Sequence, residues 1–169
     1  GLRPSEIAGI SVFTTLSTTS LLEKVRAQLD AADPVPADFL LGAGGERTVF
    51  PVGDLASVIF NRQVGTAPAF APSPVPIQAF NIRPGAVGTL AFGSYTSPEF
   101  RNESQFISPI PTRTGRPQPT GSSEVFFSLA LPAGTPPAAG WPVALVGHGF
   151  GGNKEALPVF AAILASQGI

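Results

Sequence analysis

One histidine stands among the four glycines of GHGFGG (147–152), within residues 140–154, which read GWPVALVGHGFGGNK. Glycine lets the backbone approach a ligand closely and adopt positive φ, so the N–H groups of such a loop can point into a cavity. Donors of this kind stabilise the oxyanion that forms when a carbonyl group is attacked, and each contributes about 3–4 kcal/mol. The window therefore predicts anion stabilisation by main-chain N–H groups, with His148 and Gly149 at its centre.

Two phosphate-binding glycine loops are the alternatives to this interpretation. A P-loop places Gly-Lys-Ser/Thr after four intervening residues, and Gly151-Gly152-Asn153-Lys154 breaks that order. The dinucleotide spacing G-x-G-x-x-G does occur, through Gly147, Gly149 and Gly152. Such a loop also needs an acidic residue about 20 positions later, and that position lies beyond Ile169. Both alternatives therefore fit the window poorly.

The elements on either side of the loop would have to position it. Residues 141–146 (WPVALV) are a continuous apolar run, which predicts a strand buried on both faces. An apolar segment that ends near Gly168 predicts a helix after the loop, and residues 124–131 (EVFFSLAL) predict a further strand before it. The order of strand, glycine loop and helix is typical of the beginning of an α/β unit.

The segment WPVALVGHGFGG resembles the His-Gly oxyanion segment of α/β-hydrolase superfamily esterases and lipases, which follows their third strand and precedes their first helix. The resemblance implies that His148 and Gly149 form the turn and that Phe150 supplies the N–H group. The segments SVFTTLSTTSLLEKVRAQLDAA (11–32) and PAGTPPAAGWPV (132–143) are similar to secreted bacterial lipases of the virulence-factor type. The resemblance implies the N-terminal portion of the α/β-hydrolase fold, preceded by a β-rich, Pro/Gly-rich region. It also implies a secreted or cell-envelope bacterial protein.

The catalytic triad of these hydrolases is missing from the sequence. The nucleophile elbow G-x-S-x-G is absent, since Gly9-Ile-Ser11-Val-Phe13 fails at its last position. In the family the oxyanion loop precedes the serine, the acid and the histidine, so His148 is not the triad histidine. We expect a serine carboxylic-ester hydrolase in which this chain supplies the oxyanion loop and not the triad. The triad would come from a C-terminal remainder after Ile169, the substrate would be an ester or lipid, and no cofactor or metal would be needed.

Residues 1–123 are expected to form a β-rich N-terminal region, and residues 124–169 the start of the hydrolase core. The N-terminal region has one amphipathic helix at about 20–32, with a capping box formed by Ser20 and Glu23. Strands are predicted at 48–52, 77–82 and 87–92, and a short helix at 55–64. The four prolines of residues 66–76 predict an extended, exposed segment.

Composition excludes several classes of protein. Of the 169 residues, 43% are hydrophobic and 12% are charged, which is typical of a folded chain and not of a disordered one. The net charge is −1 and no basic stripe is present, so a nucleic-acid partner is not expected. The sequence has no cysteine and one histidine, and no apolar stretch approaches the ~20 residues of a transmembrane helix. One non-enzymatic hypothesis stays open: a β-rich binding or interaction module whose glycine loop is only structural.

Overall fold

The computed structural model describes residues 3, 17–65, 69–111, 113–149, 152 and 157–169 of the chain. The chain divides into two compact units. The first unit consists of Gly1–Val35 with Ser97–Ser123, and the second consists of Pro36–Thr96 with Glu124–Ile169. The division of the chain at residue 123 into an N-terminal region and the start of a hydrolase core stays a prediction.

The helix of the first unit is held by polar contacts more than by apolar burial. Helix α1 spans Ser20–Asp30, and none of its residues is buried. Lys24 Nζ donates to the Gly115 carbonyl oxygen at 2.6 Å, and Gln28 Nε2 donates to the Pro117 carbonyl oxygen at 3.0 Å. The predicted capping box is wrong, because the residue before the first helical position is Thr19 and its side chain makes no capping hydrogen bond.

The described part of the chain contains five strands in two antiparallel sheets. They are β1 (Val49–Pro51), β2 (Ser57–Val64), β3 (Ala69–Pro76), β4 (Val87–Glu99) and β5 (Gly121–Pro132). The three-stranded sheet has the order β1-β4-β5, with Phe50 of β1 opposite Leu90 of β4. The second sheet is the β2-β3 hairpin. Residues predicted as a helix at 55–64 therefore form β2, because Val58 and Phe60 alternate with exposed neighbours and bury one face.

The core of the second unit lies between the hairpin, β4 and the C-terminal helix. Helix α2 spans Leu157–Ala165, and a 3₁₀ helix occupies Ile77–Asn81, where a strand was predicted. The buried cluster consists of Val58, Phe60, Phe80, Val87, Leu90, Ala161, Ala162 and Ala165. The small alanine side chains let α2 approach the 3₁₀ helix closely. This face of α2 therefore packs through its backbone and small side chains and not through large ones.

Helix α2 ends where the sequence predicts. Gly168 has φ +75°, its N–H donates to the Ala165 carbonyl oxygen, and the Ile169 N–H donates to the Leu164 carbonyl oxygen. This pair of bonds is a Schellman motif, which requires the left-handed conformation that glycine adopts without strain. No helix in the described ranges is long and apolar enough to cross a membrane.

The prediction of an α/β-hydrolase fold is wrong for this structure. The described chain is mostly antiparallel sheet with two short helices, whereas that fold is built on a largely parallel sheet covered by helices on both faces. Residues 141–146, predicted as a core strand buried on both faces, have neither strand nor helix structure. The apolar run does favour a buried strand, but the described residues offer it no neighbouring strand with which to pair.

Candidate functional site

The glycine loop follows an irregular apolar segment that leaves β5. A turn closed by the Gly140 N–H on the Pro137 carbonyl oxygen leads into Trp141. The Trp141 ring lies beside the end of α2, since a Cβ atom added to Gly168 would lie 3.4 Å from it. Beyond this anchor the segment is exposed: Val143 is 82% exposed, Leu145 100% and Val146 43%. A strand-forming apolar run thus lies in solvent immediately before the loop.

His148 makes a local contact only. Its Nδ1 lies 3.0 Å from the carbonyl oxygen of Gly149, so Nδ1 carries the proton and donates. The side chain is exposed, and it makes no other hydrogen bond within the residues that the structure describes. No serine or carboxylate contacts it there. This geometry agrees with a loop-shaping role for His148 and does not make it a general base.

Three N–H groups of the loop, those of Gly147, His148 and Gly149, donate to no acceptor in the described ranges. Space is open beside two of them, because a Cβ atom added to Gly147 or Gly149 would meet nothing within 4 Å. The carbonyl oxygen of Gly149 accepts from both His148 Nδ1 and the Gly152 N–H, the latter at 3.0 Å. Neither Gly147 nor Gly149 has positive φ, so left-handed geometry does not require glycine at these two positions.

Phe150, the predicted oxyanion donor, lies outside the described residues, as do Gly151 and Asn153–Ala156. The structure therefore brings together His148 and Gly149 and leaves the assignment of Phe150 a prediction.

No serine has a histidine beside it in the described chain, and Ser123 contacts a carboxylate there, that of Glu99. In the first unit, Ser17 and Ser20 line a cavity of about 160 Å³ whose wall includes Leu21 and Ile107 but no histidine or carboxylate. In the second unit, Ser94 is buried in β4, where its main chain pairs with Asp38. No group of three or more His, Cys, Asp or Glu side chains positioned to hold a metal ion occurs within the described ranges.

A charge cluster that the sequence analysis did not single out lies in the first unit. Arg101 Nη2 contacts Glu99 Oε2 at 2.5 Å, Arg101 Nε contacts Oε1 at 3.0 Å, and the Arg101 N–H donates to Oε1 at 2.8 Å. Ser123 Oγ donates to Oε2 at 3.1 Å. The Arg101 side chain, with these further donors, lowers the pKa of Glu99 to about 2. The contacts of Glu99 with Arg101 and Ser123 hold the end of β4 to the start of β5, and this cluster offers no catalytic group.

Comparison with known proteins adds no relative. Neither the protein-family models, nor the curated proteins, nor the solved structures include one that matches this chain. The function is therefore argued from the residues of the chain and their geometry.

Proposed function

We propose that this chain is the part of a serine carboxylic-ester hydrolase that supplies the oxyanion loop and none of the triad. The observation that carries the proposal is the sequence of features at 141–152. An exposed apolar run leads directly into His148-Gly149-Phe150, and the N–H groups of Gly147–Gly149 have no acceptor in the described chain. The proposal concerns the chemistry of this loop and does not require the α/β-hydrolase sheet within residues 1–169.

The exposed run supports a further polypeptide as the partner. Full burial of a valine or leucine side chain stabilises a protein by about 1.5–3 kcal/mol, so Val143 and Leu145 together offer several kcal/mol to a surface that covers them. We place the serine, acid and histidine on that surface, in the C-terminal remainder of the hydrolase or in a separate chain. The substrate is an ester or lipid.

In the proposed reaction, the triad transfers the proton and the loop donates hydrogen bonds to the oxyanion. The triad histidine accepts the proton of the serine Oγ as that oxygen attacks the ester carbonyl carbon, and the carbonyl oxygen becomes an oxyanion. The Phe150 N–H and the N–H after the serine then donate to that oxygen. The alcohol leaves with the proton from the histidine, and water releases the acid from the acyl-enzyme in the same manner.

Substitution of Phe150 in the complete hydrolase tests the proposal. Phe150→Pro removes the donor, so kcat should fall on the order of a hundred- to a thousandfold with little change in KM. Phe150→Leu is the matched control, because it keeps the N–H and should cost far less. Each variant's melting temperature shows whether the loop is still folded. A folded Phe150→Pro enzyme with nearly full kcat would show that the loop is only structural.

The second candidate is a non-catalytic binding module, favoured by the antiparallel sheets and by the lack of a serine–histidine pair in the described chain. The two candidates differ in what covers Val143 and Leu145. Under the hydrolase proposal it is a polypeptide that carries a serine reactive with a fluorophosphonate probe. If the partner isolated with this chain carries no such serine, the binding module is the better account.

A further inference from the structure

The outer edge of strand β3 is blocked by proline. Pro72, Pro74 and Pro76 stand opposite Asn61, Ile59 and Ser57 of β2. Proline has no N–H group, so the ladder of hydrogen bonds must run through the intervening pairs, such as Val58 with Val75 and Phe60 with Ser73. The ring nitrogens of the prolines therefore face away from β2. That edge presents no donor between residues 72 and 76, and another strand cannot pair with it.

Within the described residues, no strand pairs with the outer edge of strand β2. By the same alternation, the N–H and C=O groups of Ile59, Asn61 and Gln63 point away from β3. They form no hydrogen bond with any residue that the structure describes. Their side chains are exposed, Ile59 by 63%, and none of the three carries a charge. Natural edge strands are usually protected by charged side chains, proline or a bulge; β2 contains no proline, and its one charged residue is Arg62.

We propose that β2 is a dimerisation edge, on which β2 of a second copy of this chain pairs in antiparallel orientation. The product is a four-stranded sheet of order β3-β2-β2′-β3′. Because both outer edges are then β3 edges with proline, the sheet ends at four strands. The asymmetry of the hairpin argues for this occupant, since a blocked edge beside an open one permits a closed pair and prevents a fibre. The inference does not depend on the proposed function.

One register fits the two strands without a charge conflict. When the twofold axis passes beside Phe60, Ile59 stands opposite Asn61′ and Ser57 opposite Gln63′, so all outward N–H groups find acceptors. The charged residue of β2 is Arg62, and this register places it opposite Val58′. The two arginines lie toward opposite ends of the paired strands, and the pairing brings no like charges face to face.

The size of this contact predicts a weak dimer. Eight residues at about 3.4 Å each give an edge roughly 27 Å long, and a sheet about 10 Å thick then buries roughly 270 Å² per copy. A stable dimer usually buries about 800 Å² per partner. We therefore expect a dissociation constant on the order of 100 μM, with main-chain hydrogen bonds supplying most of the attraction.

Sedimentation velocity on the 169-residue chain tests the proposal, at concentrations from about 10 μM to about 1 mM. The wild-type chain should shift from monomer to dimer over this range and no further. Ile59→Pro removes an outward N–H that the β2-β3 ladder does not use, so it should abolish the shift. Asn61→Lys places two ammonium groups about 7–8 Å apart across the axis and should weaken the dimer about three- to tenfold.

Pro74→Ala provides the complementary variant, because it restores an N–H on the blocked edge. Species larger than the dimer should then appear at high concentration. Circular dichroism establishes that each variant is folded, and Asn61→Lys decides the matter if Ile59→Pro is not. A wild-type chain that stays monomeric at about 1 mM overturns the proposal. So does association that is unchanged in folded Ile59→Pro or Asn61→Lys.

Discussion

Glu99 is the side chain whose environment most directly sets a pH dependence. Its folded pKa of about 2 lies below its ordinary value of 4.5, with the Arg101 side chain as the first cause. A lowered pKa means that the folded state binds this proton more weakly than the unfolded chain. The stabilisation is therefore fully present above about pH 4.5 and is lost as the pH falls toward 2.

Arg101→Gln should raise the pKa of Glu99 toward 4.5 and flatten the acid limb of the stability curve. The shift should be incomplete, since the main-chain N–H of residue 101 and the Ser123 hydroxyl still donate. Arg26→Gln is the control, because Arg26 and Asp30 are both exposed and lie 3.5 Å apart on α1. Carbon-detected NMR titration of the Glu99 carboxyl measures the shift. A pKa that stays near 2 in Arg101→Gln would contradict this account.

Strand β4 depends on a close approach that only glycine permits. A Cβ atom at Gly93 would lie 2.6 Å from the Phe127 ring of β5 and 3.0 Å from the Asp38 carbonyl oxygen. The Phe127 ring cannot simply withdraw, because it packs edge-on against Phe39 at 5.7 Å and beside Tyr95 at 6.1 Å. The position of the Phe127 ring therefore depends on glycine at residue 93.

We expect Gly93→Ala to destabilise the chain by about 1–3 kcal/mol through overpacking. Gly121→Ala in β5 is the matched control: its added Cβ meets nothing within 4 Å, and its effect should stay within about 0.5 kcal/mol. Urea unfolding followed by circular dichroism measures both variants. Equal free energies of unfolding would show that Phe127 has room to move.

The elements that the sequence predicts correctly are those whose signals are local. Helix α1 has its apolar stripe, β4 and β5 have β-rich runs, and Gly168 ends α2. The helix predicted at 55–64 is wrong because Asp54, its plausible cap, is a local signal, and only the pairing with β3 selects the strand. The extended conformation of residues 69–76 was predicted from their prolines, but the partner strand was not.

The candidate site was predictable only in part, for the same physical reason. Glycine spacing and the single histidine locate the loop, and in the described ranges the N–H groups of Gly147, His148 and Gly149 have no acceptor. The run 141–146 has strand composition, but composition carries no information about whether a neighbouring strand exists. The Glu99 cluster joins residues 24 positions apart in sequence, and no local pattern indicates that contact.

The whole molecule combines a low net charge with an uncovered apolar run. Ten basic and eleven acidic residues leave a charge of −1 at pH 7, which gives little long-range repulsion between copies. Among the described residues of the second unit, Val143 and Leu145 are the most exposed large apolar side chains. A contiguous exposed apolar patch often marks a contact with another chain, and single exposed apolar residues do not.

Leu145→Lys tests whether Leu145 stabilises the 169-residue chain itself or a contact with another polypeptide. In the 169-residue chain the substitution should leave the melting temperature unchanged, since Leu145 is fully exposed, and should reduce binding of an apolar fluorescent dye. In the complete hydrolase that we propose, the same lysine would be buried unpaired, so we expect the complex to lose about 3 kcal/mol or more. Thr135→Lys, at an exposed polar position in the preceding turn, should change neither measurement. If Leu145→Lys leaves the complete hydrolase as stable and as active as Thr135→Lys does, no polypeptide covers this segment and the partner proposed for it is wrong.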